Sequence, residues 1–234
     1  MVIQAKGIKK EFIRKGDGKN VFTAVHETDL ELAEGKIVAI RGRSGSGKST
    51  LLNMIAGILV PTAGQVLYGD RNIYEMPDEE LSAFRGRHIG YIPQGTSSIS
   101  SLTVLENILL PYRIRMRDYS GEKSPQQILS RAQELMEMLY IAHLSDEKPG
   151  KLSGGELRRM AIARAMILSP DVILADEPTG DLDDENTQIV FSMIKKCAAQ
   201  GAGVLIVTHE EDVENYADIV CRMNAGKLEN GQDS

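Results

Sequence analysis

Between positions 42 and 49 the chain reads Gly42-Arg43-Ser44-Gly45-Ser46-Gly47-Lys48-Ser49, and no other stretch so narrows what it can fold into. A glycine, four further positions and then Gly-Lys-Ser make a loop whose backbone curls until successive N–H groups point inward at an anion. In that pattern Lys48 is placed to reach the β- and γ-phosphates of a nucleotide and the Ser49 hydroxyl to ligate Mg²⁺. Average residue usage would match the four fixed positions about once in a hundred chains of this length. The flanks narrow it further. Lys36-Ile-Val-Ala-Ile40 is a short apolar run of strand type, and Thr50-Leu-Leu-Asn-Met-Ile-Ala56 reads as a helix. Strand, glycine loop and helix together aim a helix N-terminus at an anion. The segment implies an α/β core that holds a nucleoside triphosphate.

The 234 residues suffice for one large domain or two small ones. A hydrophobic fraction of 42% and a charged fraction of 26% belong to ordinary globular chains. The net charge of −6 argues against a nucleic-acid binder held by general phosphate attraction, so no nucleic-acid partner is expected, although local basic patches stay open. Cys197 and Cys221 have neither metal-type spacing nor partners for a disulfide framework, which points to free thiols in a reducing compartment. The opening Met1-Val-Ile-Gln-Ala-Lys6 does not read as a signal peptide, and the apolar stretch Leu51 to Val60 is far short of the ~20 residues of a membrane span. Any membrane attachment is therefore expected through a partner.

Strand-type runs alternate with helical patterns, as in α/β folds. Ile37–Ile40, Val172–Ala175 and Val204–Val207 are almost wholly apolar, as parallel strands covered on both faces are. The N-terminal third differs: Val2–Ile8, Glu11–Arg14, Val21–Leu32 and Gly64–Tyr68 alternate, with a turn at Gly16-Asp17-Gly18, and read as an antiparallel sheet. From about Ser82 to Leu168 the chain reads mostly helical. Ser124-Pro125-Gln126-Gln127 supplies an N-cap, a proline at the first helical position and a capping-box glutamine. Apolar residues at Ile128, Ala132, Leu135, Leu139 and Ala142 then mark one helix face. Thr103-Val-Leu-Glu106 reads as another capping box. The polar tail from Asn224 is expected to fray after one last turn and strand.

Further motifs follow the loop in order. Val172-Ile-Leu-Ala-Asp176-Glu177 is an apolar strand ending in two carboxylates, which a parallel sheet would deliver beside the phosphate loop. Asp176 is suited to hold Mg²⁺ and Glu177 to orient an attacking water, although two carboxylates at a strand end also serve to cap a turn. Leu152-Ser153-Gly154-Gly155-Glu156 reads first as a capping box before a helix. Its two glycines are costly in that role alone. They fit a helix N-terminus that another body must approach closely, a second anion site.

At this point the sequence resembles the ATP-binding cassette (ABC) ATPases over essentially its whole length. Residues 152–156 are similar to their signature motif, with Glu156 where glutamine is usual, and phosphate loop, signature, carboxylate strand and later histidine stand in that family's order. The resemblance implies an α/β phosphate-loop core with a mainly parallel sheet, an N-terminal antiparallel β subdomain and a helical subdomain. Within one domain over 1–234, the core and antiparallel part would take 1–84 and 169–234, and the helical part about 85–168. It implies ATP and Mg²⁺ as ligands. Arg43, Ser44, Gly45, Ser46, Gly47, Lys48, Ser49 and Thr50 would contact the nucleotide, as would Ser153, Gly154, Gly155 and Glu156. Lys48, Gln94, Glu177 and His209 would be catalytic; Ser49, Gln94 and Asp176 would ligate the metal. Gln94 would also sense a transmembrane partner and His209 touch the γ-phosphate. Asp181 matches a loop that crosses to an opposing subunit. Phe12 stands where the family places an aromatic ring against adenine, although a phenylalanine in a strand is commonly core.

One chain carries one phosphate loop and one signature, which in this family face different nucleotides, so two copies are expected to sandwich ATP head to tail. The expected function is the ATPase subunit of a transporter, peripheral to the cytoplasmic face of the membrane and driving a separate permease. Length, Leu102–Pro111 and Ala175–Asp183 most resemble the group that releases lipoproteins or exports macrolides and antimicrobial peptides. An importer subunit, a soluble cassette acting in translation or DNA repair, and a non-hydrolysing regulatory subunit are the alternatives. The run Arg113, Arg115, Arg117 reads as a solvated helix face before a contact with permease or anionic lipid. Departures are Glu156, Arg43 in place of a frequent proline, with its side chain expected outward, and the polar Gly95 and Thr96–Ser101 where apolar text is common and a permease helix would dock.

Overall fold

Alternation and continuity of apolar residues separate the strands into two sheets. In this computed structural model residues 1–13, 21–95, 97–115, 124–180 and 182–229 are described. Strands β1 (Ile3–Ile13) and β2 (Val21–Leu32) pair antiparallel. Between them and the helical half come β3 (Ile37–Arg41), helix α1 (Lys48–Ile55), β4 (Ala63–Tyr68) and the two-residue β5 (Arg71–Asn72). β2, β1, β4 and β5, in that order, form a four-stranded antiparallel sheet. Val2–Ile8 and Glu11–Arg14, expected as two strands, are one strand through Ile13. Irregularities between Ala5 and Ile8 and on either side of Lys10 shift its alternation, which is why a period of two breaks the run in the sequence. Arg14 and the turn at Gly16-Asp17-Gly18 lie outside the described residues.

The helical stretch begins with α2 (Asp78–His88) and is interrupted by β6 (Ile89–Ile92). It continues through α3 (Val104–Arg115), α4 (Pro125–Met138) and α5 (Gly154–Met166). β7 (Val172–Asp176), α6 (Asp184–Ala199), β8 (Gly203–Thr208), β9 (Ile219–Asn224) and β10 (Lys227–Glu229) complete the chain. The larger sheet has the order β10-β9-β3-β8-β7-β6 and is parallel except for β10, which turns back on β9. β6, inside the stretch 85–168, is an edge strand of this sheet, pairing in parallel with β7.

Both faces of the large sheet are covered, so β7 and β8 are buried at every position. Their alternate residues enter two cores. Ile173, Ala175, Val204 and Ile206 pack with α3 to α6, whereas Val172, Leu174, Leu205 and Val207 pack with α1 and the antiparallel sheet. The capping boxes at Ser124 and Ser153 are formed, as is the reciprocal pair of Thr103 and Glu106. On α4 the stripe Ile128, Ala132, Leu135 and Leu139 is buried, but Ala142 is exposed. The helix ends at Met138, Tyr140 takes a left-handed φ of 54°, and Ile141 fills the next core place instead.

Candidate functional site

The carboxyl ends of β3, β7 and β8 meet at one sheet edge, where the phosphate loop leaves β3. Gly47 stands at φ 106° immediately before α1, and a Cβ there would lie 2.4 Å from the Ala24 carbonyl oxygen. A Cβ on Gly42 would lie 2.3 Å from the Met223 carbonyl oxygen. Backbone crowds both positions, so only glycine fits. α1 has no side-chain cap, and its first N–H groups face the loop. Ser46 Oγ is buried without a hydrogen-bond partner. Arg43, Ser44 and Gly45 are exposed along the loop, and Ser49 and Thr50 are half-buried in the first turn of α1.

Lys48 is buried. Its Nζ donates to the carbonyls of Gly42 at 2.6 Å and Arg43 at 3.2 Å and lies 3.9 Å from Glu177 Oε1. Register explains the rest: β7 and β8 run in parallel with Asp176 beside Val207, so the next residues, Glu177 and Thr208–His209, emerge together. Asp176 is buried, and its Oδ1 has no hydrogen-bond partner. Burial raises its pKa, opposed by a hydrogen bond from Ser49 and the nearby charges of Lys48 and Arg158. Glu177 takes a left-handed φ of 49°, its N–H held by the Val207 carbonyl at 2.9 Å. Its Oε2 accepts from Thr208 Oγ1 at 2.8 Å and from the His209 backbone N–H at 3.3 Å, and lies 3.0 Å from His209 Nδ1. That carboxylate raises the pKa of the exposed His209 ring.

Glu177, His209, Gln94 and the loop residues Gly42, Arg43 and Ser44 line one cleft of about 1050 Å³. Arg222, Asn224 and Glu229 of the last hairpin line it too; nothing local in the sequence marked them. Phe12 is absent from the described lining. It is exposed on β1 opposite Phe22, with the Lys10 ammonium 5.3 Å from its ring centroid. Ser153 to Glu156 are absent from it as well. Ser153 and Gly154 are exposed at the start of α5, where Glu156 Oε2 accepts from the Ser153 N–H at 2.7 Å and hydroxyl at 2.8 Å. Those bonds lower the Glu156 pKa. Asp181 lies outside the described residues. Sequence reasoning missed Arg158: buried on α5, it donates to the carbonyls of Pro93 at 2.8 Å and Gly95 at 3.1 Å, on either side of Gln94. An arginine two residues past Glu156 carries no local sign of this reach.

The residues present fit both a triphosphate and a divalent ion. A crowded glycine loop, an uncapped helix start and the orphaned Ser46 hydroxyl form the anion cradle. The orphaned Asp176 oxygen beside Ser49 gives a hard cation two protein ligands. Among the described residues no cluster of three His, Cys, Asp or Glu could hold a metal alone, so such an ion has to share its ligands with phosphate oxygens and water.

Fold and cleft are those of a phosphate-loop nucleotide-binding domain. The family model described as "ABC transporter" matches residues 25–180. An uncharacterized ABC transporter ATP-binding protein of Methanocaldococcus jannaschii is 37% identical over 227 residues, 97% of each chain. The lipoprotein-releasing system ATP-binding protein LolD of Chromohalobacter salexigens is 36% identical over 213 residues, 91% of this chain and 87% of that one. The dimeric structure of a bacterial ABC transporter cassette superposes with a TM-score of 0.89 at 34% identity, covering 99% of this chain and 98% of that one. A dimeric cassette in a post-hydrolysis state bound to ADP and Pi gives 0.88 at 33% identity, with the same coverage. The chain belongs to the ABC transporter ATPase family. It is an ATP-binding subunit that hydrolyses ATP.

Proposed function

We propose that two copies of the chain close head to tail around ATP and drive a separate membrane permease of the lipoprotein-release or export type. One observation carries this: the phosphate-loop residues Gly42, Arg43 and Ser44 line one cleft with Glu177 and His209, Lys48 lying buried 3.9 Å from Glu177, while Ser153 and Gly154 present an exposed helix N-terminus outside it. Each chain thus offers two complementary halves of an anion site. The dimeric cassettes among its structural relatives support the assembly, and relatives named for lipoprotein release support the permease class. Among the described residues no helix is long and apolar enough to cross a membrane, which agrees with a permease supplied by another chain on whose cytoplasmic side this subunit docks.

In this reading the loop N–H groups and Lys48 bind the phosphates from one copy, and Ser153 with the N–H groups of Gly154 and Gly155 bind them from the other. Mg²⁺ held by Ser49 and Asp176, with Gln94 nearby, would neutralise charge on the β- and γ-phosphates. Glu177 orients the attacking water and accepts its proton, while Thr208 and His209 fix the carboxylate. Phe12 takes the adenine ring, exchanging the Lys10 ammonium for a stacked base. Opening after hydrolysis moves the helices of about 85–168, β6 aside, and that motion is the stroke delivered to the permease.

The test is Glu177→Gln with ATP and Mg²⁺. Size-exclusion chromatography with light scattering should show a dimer that needs ATP, and turnover should fall by at least about a hundredfold. A variant that stays monomeric with ATP bound would overturn the sandwich. Co-purification with a co-expressed candidate permease bearing a large external domain tests the partner class.

A further inference from the structure

The loop that carries Gln94 is gripped from behind by α5, the helix that begins with the Ser153 capping box. One nitrogen of Arg158 donates to both carbonyls that bracket Gln94, those of Pro93 and Gly95. Gly95 turns the chain there with φ 80°. Further along the same helix Arg164 donates to Ser97 Oγ at 2.7 Å. Beyond it, the fully buried Asn107 of α3 accepts from the Ile99 N–H at 2.9 Å and donates to the carbonyls of Ile99, Leu102 and Thr103. Arg158 is itself buried, and a guanidinium in that position is held only by good geometry to several acceptors. The glutamine, by contrast, is exposed at the mouth of the cleft. Its exposed side chain is therefore aimed chiefly by the backbone on either side, and Arg158 binds that backbone at both carbonyls.

We infer that Arg158 is a positioning residue for hydrolysis: it sets Gln94 in the cleft and ties it to the helix whose first turn faces the other copy's nucleotide. The inference rests on the sandwich proposed above. Engagement of Ser153 at one site would then shift α5 and, through Arg158, Gln94 at the chain's own site. The contact is a pair of charge-assisted hydrogen bonds to neutral carbonyls, and it depends on geometry as well as charge. A lysine keeps the charge but replaces the rigid planar fork with a flexible stem and a point-like ammonium.

A double-mutant cycle on the whole 234-residue chain tests this. Arg158→Ala, Arg158→Lys, Gln94→Ala and the Arg158→Ala/Gln94→Ala pair are compared for kcat, for ATP affinity by calorimetry, and for melting temperature. Arg158→Ala is expected to lower kcat about tenfold with ATP affinity within about twofold of wild type. In the Gln94→Ala background the same substitution should lower kcat by less than about twofold, because its route of action is already gone. Arg158→Lys should recover melting temperature more than it recovers kcat. Additive losses in the cycle would overturn the inference, as would kcat of Arg158→Ala that tracks melting temperature alone. Unaltered kcat in Gln94→Ala would overturn it too, while leaving the sandwich intact; loss of the ATP-dependent dimer in Glu177→Gln would instead strike the sandwich itself. If Arg158→Ala does not fold, Arg158→Lys carries the same cycle.

Discussion

Glu177 is the residue where structure and chemistry are most tightly joined. A non-glycine residue at φ 49° is uncommon, and here it is held by the Val207 carbonyl and by Oε2 bonds to Thr208 and His209. Removing the Thr208 hydroxyl should therefore act on turnover rather than on ATP binding: Thr208→Val is expected to lower kcat about tenfold with KM little changed. The His209 pair predicts a pH dependence with a definite sign. Glu177 raises the folded pKa of His209 above its ordinary 6.5, so the pair stabilises fully below that value and the contribution is lost as pH rises through the raised one. Wild type should lose melting temperature relative to His209→Ala as pH is raised past 6.5, with no such difference in slope at lower pH. Asp176 and Glu177 were legible as a pair because an apolar strand ended in them. That Thr208 would hold Glu177 was not, since it depends on the register of β7 against β8.

At the scale of elements, local signals did well wherever the physics is local. A serine, a proline and a glutamine fix the start of α4, and the box at Ser153 forms whatever else that turn does. Ser153→Ala should cost about 1 kcal/mol of stability from the lost cap, and a separate loss of turnover would report its second role. Asn107 is the opposite case. It reads as an ordinary polar residue of a helix, yet it is fully buried and satisfies the backbone from Ile99 to Thr103. Asn107→Ala should cost about 2 kcal/mol, seen as a lower urea midpoint with unchanged slope. β1 hid its continuity for a related reason, because bulges break the alternation by which a strand is recognised. α4 stops short of Ala142 because Tyr140 turns left-handed, a conformation that nothing in its side chain demands.

At the scale of the whole molecule, the two halves of the proposed shared site stand apart. The cleft is lined by Gly42, Arg43 and Ser44 of the loop with Glu177 and His209; the α5 N-terminus lies outside it. If the site is completed between copies, two inactive variants should rescue each other. Lys48→Ala spoils one half and Ser153→Arg the other, so a mixed dimer retains one intact site. Equal mixing should restore about a quarter of wild-type turnover, from half the dimers with one of two sites each. Either variant alone should stay inactive, and no recovery on mixing would count against a site shared by two copies.

Sequence alone determined the phosphate loop, the apolar strands, the helix caps and the carboxylate pair. Each of these is set by backbone geometry and side chains within a few residues, where glycine, proline and short polar residues act directly. Only the tertiary structure decided that Thr208 and His209 hold Glu177, and that Arg158 grips the carbonyls around Gln94 from more than sixty residues away. Such contacts follow from strand register and from how α5 packs beside β6, and these are fixed by the burial of many apolar residues at once. The motif fixed where a phosphate can sit; packing fixed what stands around it.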